Sequence, residues 1–248
     1  MWLQAGGWGL LAGSALLLGA AIGYYVRIPQ RLVASIMAFG SGVLISALCF
    51  ELVEEAFKLG GLKATILGFI GGAAIYTGAN LVLNRLGAAH RKRSAKLQIS
   101  EQEKSGSGMA LAVGALIDGI PESIVIGIGL IAGGTVSTAT VMAIFLSNLP
   151  EGLSSAAGMK KANRSARYIF TLWGTIALIS GGASILGYTV FSGFSPEVIA
   201  LTTAIAAGAI LAMISNTMIP EAYEEVHDFT GLITVAGFLT SFILSKIV

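Results

Sequence analysis

Long runs of apolar residues, separated by short polar stretches, dominate the chain. A helix needs about 20 apolar residues to cross the hydrocarbon core of a bilayer, and these runs have that length. Transmembrane β-strands would instead appear as short segments of alternating polarity. The pattern predicts an all-α integral membrane protein, with one transmembrane domain over residues 1–248. Its eight predicted spans are residues 8–26, 32–56, 62–84, 108–131, 135–159, 167–190, 197–221 and 229–247.

Composition supports a membrane environment. Hydrophobic residues make up 55% of the chain and charged residues 11%, against roughly 25% charged in a typical soluble domain. The 33 glycines are expected where small residues let membrane helices approach closely. The stretch 87–107 is long and polar, and it is predicted to be a mobile basic cytoplasmic loop, with binding to anionic lipid headgroups as the functional alternative.

The basic residues predict the orientation. Twelve of the fifteen lie in the connections after spans 1, 3 and 5, which share one side if there are eight spans. They are Arg27, Arg31, Arg85, Arg91, Lys92, Arg93, Lys96, Lys104, Lys160, Lys161, Arg164 and Arg167. Because basic loops stay in the cytoplasm, both termini are expected outside, in a plasma or inner membrane.

The chain also contains a weak internal repeat. Residues 40–57 match residues 206–223 at an offset of 166, which pairs Gly42 with Gly208. Residues 67–70 similarly resemble residues 236–239. With eight spans the two copies enter from opposite sides, so spans 1–3 would relate to spans 6–8 as the inverted repeat common in secondary transporters, with spans 4 and 5 central.

Spans 4 and 5 carry acids inside apolar sequence. Asp118 and Glu122 lie four residues apart beside Pro121, and Ser147, Asn148 and Glu151 surround Pro150. An ionised carboxylate at mid-membrane costs at least a few kcal/mol, so such acids indicate function by default. Residues three or four apart share a helix face, and each proline leaves a carbonyl without its helical donor. Two such faces could together surround one ion.

A divalent cation would offset the repulsion between these carboxylates, since neither span contains Lys or Arg. The predicted central metal site comprises Asp118, Glu122, Ser147, Asn148 and Glu151. Protons could also neutralise the acids, so metal binding coupled to proton release is expected. The alternative is that the prolines only bend packed helices, with the acids protonated and hydrogen-bonded.

Other acidic clusters lie near the predicted span ends. Glu221, Glu224 and His227 predict a cytoplasmic exit site for a cation, with an ordinary solvated surface as the alternative. Glu51, Glu54 and Glu55 end span 2 on the outer side, either as headgroup-level acids or as an outer funnel for metal.

Enzymatic function is not expected. An aspartyl protease needs two facing aspartates, and Asp228 lies at a helix end far from Asp118 in depth. A serine hydrolase needs a histidine base, and neither His90 nor His227 lies in mid-membrane. No phosphate-binding loop appears, and neither an organic cofactor nor a nucleic-acid partner is predicted.

With its paired Pro-Glu motifs, eight spans and basic loop after span 3, the sequence resembles the ZIP (Zrt/Irt-like) metal transporters. The family motif in spans 4 and 5 is similar to His-Asn-x-Pro-Glu-Gly. Here Asp118 and Gly119 stand in place of its first His and Asn, and Ser180 in place of a Glu found in span 6 of many members. The resemblance implies spans 1, 4, 5 and 6 around the metal, a scaffold of spans 2, 3, 7 and 8, and often a homodimer.

The substitutions of the family motif favour oxygen ligands, which suit Mn²⁺, Fe²⁺ or Mg²⁺, while Zn²⁺ also accepts carboxylates. One metal or two stays open. The expected function is a facilitative or secondary transporter of divalent zinc, iron or manganese. The alternative is a ZIP-like membrane protein that has lost transport and serves as a metal-binding or regulatory protein, because the span 6 acid is missing.

Overall fold

The structure is a computed structural model that describes residues 1–88, 107–133 and 138–247. Throughout these residues the chain is helical apart from short connections. Its α-helices are α1 (Trp2–Tyr25), α2 (Gln30–Ala47), α3 (Glu54–Leu83), α4 (Ser107–Gly133), α5 (Thr138–Lys161), α6 (Ala166–Phe191), α7 (Pro196–Met213), α8 (Ile219–Val226) and α9 (Thr230–Ile247). The all-helical class predicted from the apolar runs is confirmed. Most of the loop predicted at 87–107 lies outside the described residues.

Helices α2 and α3 are joined without a loop. Leu48–Val53 forms a π-helical segment between them, and the helical path is broken later, at Gly61, where φ is 65° and ψ is −172°. A side chain would strain this backbone conformation, and glycine adopts it readily. The sequence predicted the connection between spans 2 and 3 at residues 57–61. Gly61, the residue with non-helical dihedral angles, is the last residue of that range.

A similar arrangement joins α7 to α9. A second π-helical segment, Ile214–Met218, leads from α7 into α8. The chain then turns at His227, whose φ of 52° is unusual for a residue other than glycine. The helices over predicted spans 2 and 7 therefore both continue through a π-helical segment before the backbone leaves helical geometry, at Gly61 and at His227.

Helices α2 and α9 pack side by side and run in the same direction. Gly237 approaches the carbonyl oxygen of Phe39 so closely that a Cβ atom there would collide with it. Further along, the ring of Phe50, in the π-helical segment that continues α2, lies 5.0 Å from the ring of Phe242 in α9. Residue numbers rise together along the contact, so the two helices are parallel.

Helices α3 and α7 form a second parallel pair. Gly60 lies beside Ala200, and Gly72 lies directly against the carbonyl oxygen of Ile205. Small residues at these points bring the two backbones together, as is common between membrane helices.

The other helices gather around α1, which packs against α4, α5 and α6. Gly19 contacts the carbonyl oxygen of Leu149 in α5, and α1 crosses α6 where Gly13 lies near Ala177. Helix α4 in turn packs along α6. The molecule thus has one group of α1, α4, α5 and α6 and another of α2, α3, α7 and α9, joined by contacts of α2 with α5 and α4 with α7.

Large apolar side chains face outward. Leu67, Ile70, Leu178 and Leu232 are each more than half exposed, while alanine, glycine and serine occupy much of the interior. Five helical stretches of the described residues are long and apolar enough to cross a membrane: Trp2–Tyr25, Gln30–Leu86, Ala112–Ile131, Ala166–Phe191 and Pro196–Ile247. These are the features of a multi-pass α-helical membrane protein.

Candidate metal site

The acids predicted on α4 are buried inside the protein. Asp118 is 3% exposed and Glu122 is 2% exposed. They lie one helical turn apart on either side of Pro121, which is inside α4. The two acids, which their spacing predicted to share a helix face, are therefore both buried.

Asp118 is held by a residue that sequence reasoning missed. The hydroxyl of Tyr76 on α3 donates a hydrogen bond of 2.9 Å to Asp118 Oδ1, and Tyr76 is itself buried. Because a buried tyrosine hydroxyl needs a partner, a tyrosine inside the apolar stretch of span 3 was the available signal. The sequence did not show which helix would supply that partner.

The second motif lies on α5 and faces α1 and α2. Asn148 Nδ2 donates a hydrogen bond of 3.0 Å to the carbonyl oxygen of Ala12 in α1. On the other side, a Cβ atom on Gly40 of α2 would lie 3.2 Å from Pro150 Cγ. Glycine therefore allows α2 to lie directly against the proline turn.

Ser147 and Glu151 complete this motif. Both are buried, and Glu151 is 6% exposed. The Ser147 hydroxyl donates to the carbonyl oxygen of Ile144, 2.9 Å away on its own helix. Its oxygen keeps lone pairs that could accept a further bond or coordinate a cation.

The electrostatics of these helices are one-sided. Between residues 105 and 159 the sequence has three acids, Asp118, Glu122 and Glu151, and no Lys, Arg or His. Taking ionised carboxylates out of water is costly unless protons or a cation offset their charge. The site can therefore hold protons, or it can hold a cation that replaces them.

The two halves of the predicted site lie on helices with different main packing partners. Asp118 and Glu122 lie on α4, which packs mainly against α6, and the second motif lies on α5, which packs mainly against α1. Helices α4 and α5 touch each other only briefly. Within residues 1–88, 107–133 and 138–247, no three His, Cys, Asp or Glu side chains form a group that could hold a metal ion.

Contacts between α4 and α6 extend the buried polar region. The Ser184 hydroxyl donates a hydrogen bond of 2.7 Å to the carbonyl oxygen of Ser123, one residue after Glu122. Ser180, which stands where ZIP transporters often have an acid, is also buried and lies against Gly9 and Gly13 of α1. Position 180 thus faces the interior of the α1, α4, α5 and α6 group.

The predicted exit site lies at the turn between α8 and α9. Glu221 is half-buried, while Glu224 and His227 are exposed. The His227 ring meets the Tyr223 ring edge-on, with centroids 6.1 Å apart. These three residues belong to one short segment, and their role as an exit site stays a prediction.

The comparisons leave the family open. No protein-family model and no curated protein matches the sequence. The fold and the buried acids define a multi-pass helical membrane protein with a polar interior, and the resemblance to ZIP transporters stays a prediction from the motifs.

Proposed function

We propose that this protein transports a divalent metal cation across the membrane, as a divergent ZIP-like transporter. The observation that carries the proposal is the near-complete burial of Asp118, Glu122 and Glu151, in a part of the sequence, residues 105–159, that contains no Lys, Arg or His. Acids in such a place are costly unless they have a function. A cation passing between the helices would offset the negative charge of these acids.

The ligands in this proposal are mainly oxygen atoms. Glu122 and Glu151 provide carboxylates, and Asp118, Asn148 and Ser147 complete the shell. This set accepts Mn²⁺, Fe²⁺ and Zn²⁺. No three His, Cys, Asp or Glu side chains form a metal-holding group within the described residues, so in this proposal the amide of Asn148 and the hydroxyl of Ser147 contribute ligands beside the carboxylates.

Helix length supports eight crossings. The apolar stretches Gln30–Leu86 and Pro196–Ile247 contain 57 and 52 residues, or about 86 and 78 Å of continuous helix at 1.5 Å per residue. With a hydrocarbon core of about 30 Å, each is long enough to cross twice, and the proposal puts the reversals at Gly61 and His227, where the backbone leaves helical geometry. The remaining crossings are the three other apolar stretches and α5, whose hydropathy is lowered by Ser147, Asn148 and Glu151.

Helix direction also supports this topology. With eight crossings, α2 and α9 both run outward if the termini are outside, and α3 and α7 both run inward. The parallel packing within each of these pairs agrees with that arrangement. Helices α1 and α6 would run in opposite directions in this topology, and their contacts, from Gly6 with Ile185 to Gly13 with Ala177, are antiparallel.

Two further features support the internal repeat. The π-helical segments begin at Leu48 and Ile214, which are 166 residues apart, the offset of the sequence match. Gly42 lies against the carbonyl oxygen of Thr234, and Gly208, its counterpart, lies against that of Phe69. Equivalent glycines thus make equivalent contacts, as an inverted repeat requires.

A second function is favoured by one observation. Asp118 accepts a bond from Tyr76, Asn148 donates to Ala12, and no group of three metal-ligating side chains forms within the described residues. A protein that binds metal weakly, or regulates a partner without transport, would keep its polar groups bonded in this way. As in the ZIP resemblance, a homodimer in the plasma or inner membrane is part of either proposal.

Metal flux into proteoliposomes tests the proposal. The purified protein should move at least one of Zn²⁺, Mn²⁺ and Fe²⁺, followed with a metal-sensitive dye trapped inside. Glu122→Gln and Glu151→Gln should each abolish this flux, because they remove a negative charge and keep the side-chain size. Glu197→Gln is the matched control, since Glu197 is exposed at the start of α7.

Each outcome has a clear meaning. Wild-type flux in both buried-acid variants would remove those residues from the mechanism. Metal binding without flux in the wild-type protein would favour the regulatory function. Loss of flux in Glu197→Gln as well would point to damage that is not specific to the buried acids.

A further inference from the structure

A basic cavity opens where α1 ends, α2 begins and α5 ends. Its volume is about 480 Å³, and its lining combines basic side chains with apolar ones. The lining residues are Gly23, Val26, Arg27, Ile28, Gln30, Val33, Leu153, Ala157, Lys160 and Lys161. Arg27, Lys160 and Lys161 are exposed, whereas Gly23, Val33 and Leu153 are buried. The cavity thus has a cationic rim and an apolar floor.

The charge around this cavity is not balanced by the segments that form it. Residues 1–50 and 152–196 contain no Asp or Glu, and every lining residue falls within them. The nearest acid along α5 is Glu151, about 14 Å deeper along the helix than Lys160 at 1.5 Å per residue. Three cations therefore meet at one concave surface without an acid from the same segments.

Helix capping does not account for these lysines. Lysine at the last turn of a helix often stabilises its free carbonyl groups. Here backbone N–H groups already bond to the last carbonyl groups of α5. Arg164 N donates to Met159 O at 2.9 Å, and Asn163 N donates to Lys160 O at 3.1 Å. Asn163, with φ of 60°, ends the helix in a Schellman motif.

The Lys160 side chain is instead held across the cavity entrance. Its ammonium group donates to the carbonyl oxygen of Tyr24 at 2.6 Å and lies 4.7 Å from the centre of the Tyr24 ring. Of the three donors of an ammonium group, one is used by Tyr24. The rings of Tyr25 and Phe170 stack beside it, with centroids 5.8 Å apart, and aromatic rings of this kind gather at the membrane–water interface.

Helix α2 adds a further source of positive potential. It begins at Gln30 without a side-chain cap and with no acid in its first turn. The partial positive charge at the N-terminus of a helix attracts anions. Because Gln30 and Val33 of this first turn line the cavity, the end of the helix adds to the charge of the three side chains.

We propose that this cavity binds a phosphate-bearing anion. The apolar floor and the aromatic rings fit the glycerol and upper acyl region of an acidic phospholipid, whose headgroup supplies the phosphate. Basic pockets between membrane helices on the cytoplasmic side are known to favour such headgroups. A free phosphate ion carries the same anionic group, and it would contact only the basic side chains of the rim. The site does not depend on the proposed metal transport.

Calorimetric titration of the full-length protein in an uncharged detergent tests the proposal. Three probes are compared: dihexanoyl phosphatidylglycerol, dihexanoyl phosphatidylcholine and inorganic phosphate. Phosphatidylglycerol should bind and phosphatidylcholine should not. Arg27→Gln should weaken binding about fivefold and Arg27→Gln with Lys161→Gln about 25-fold, since each cation near an anionic surface contributes about 1 kcal/mol.

Arg31→Gln is the matched control. Arg31 lies four residues after Arg27, is also exposed and does not line the cavity. The affinity of the Arg31→Gln variant for phosphatidylglycerol should stay within about twofold of wild type, because Arg31 makes no contact at the site. If the double variant does not elute as a single folded species, Arg27→Gln alone gives the comparison, since Arg27 lies beyond the end of α1.

The probes also separate the two sources of phosphate. If phosphatidylglycerol binds and inorganic phosphate does not, the site is assigned to a lipid headgroup. If the two bind equally well, the site is assigned to phosphate in general. Equal binding of the two lipids, or no binding of either phosphatidylglycerol or phosphate, would overturn the proposal. An equal loss in Arg31→Gln and Arg27→Gln would also overturn it, because it would show only diffuse surface charge.

Discussion

The hydrogen bond between Tyr76 and Asp118 allows a quantitative test of the buried acid. Tyr76→Phe removes one hydroxyl and keeps the ring, so packing of the 2% exposed side chain changes little. What is lost is the 2.9 Å bond between helices α3 and α4. The cost of that loss depends on whether Asp118 is neutral or ionised.

The two charge states differ in magnitude. Hydrogen bonds between membrane helices average about 0.6 kcal/mol and reach about 1.7 kcal/mol in double-mutant cycles, whereas bonds to charged groups are worth about 1.5–3 kcal/mol. Tyr76 and Asp118 form this bond between two membrane helices, and α4 carries no basic residue. We therefore expect a coupling energy of about 0.6–1.7 kcal/mol between Tyr76 and Asp118 in the metal-free protein.

A double-mutant cycle provides the measurement. Tyr76→Phe, Asp118→Asn and the double variant are unfolded in mixed detergent micelles, with loss of helical circular dichroism as the readout. A coupling energy indistinguishable from zero would mean that the bond does not stabilise the protein. A value of about 3 kcal/mol would contradict this expectation, because it is the magnitude found for bonds to charged groups.

Two other predictions concern packing and protons. Gly208→Val should destabilise the protein by about 1–3 kcal/mol, because a Cβ atom at this position collides with the carbonyl oxygen of Phe69. Gly71 has open space around it, so Gly71→Ala should change the melting temperature little. Equal shifts of the melting temperature in the two variants would contradict the close packing of α3 on α7. Metal affinity should fall as pH falls, since protons compete for the carboxylates of Glu122 and Glu151, by about tenfold per pH unit for each proton displaced. Equilibrium binding of Mn²⁺ between pH 5.5 and 7.5 measures this, and a pH-independent affinity would show that the carboxylates do not bind the ion.

The helical class could be predicted because it depends on local pattern. A run of 20 apolar residues must satisfy its own backbone hydrogen bonds in lipid, whatever surrounds it. The same argument placed Asp118 and Glu122 inside an apolar helix, and both are buried in the structure.

Contacts between distant segments could not be predicted in the same way. The sequence contains Tyr76 and Ala12, but nothing local shows that one donates to Asp118 and the other accepts from Asn148. The π-helical segments were missed because they depend on a one-residue change of helical register, which apolar periodicity does not reveal. The glycine-rich surfaces were recognisable, although which helix each one meets was not.

The Tyr76 hydroxyl joins the two groups of helices, since α3 belongs to one group and α4 to the other. A sliding motion of either group past the other would stretch this bond beyond hydrogen-bond range. The hydrogen bond would then have to break before Asp118 could move to another depth in the membrane. It would form again when the two groups of helices return to their first position. One phenol oxygen would in this way favour a single resting position of the two halves.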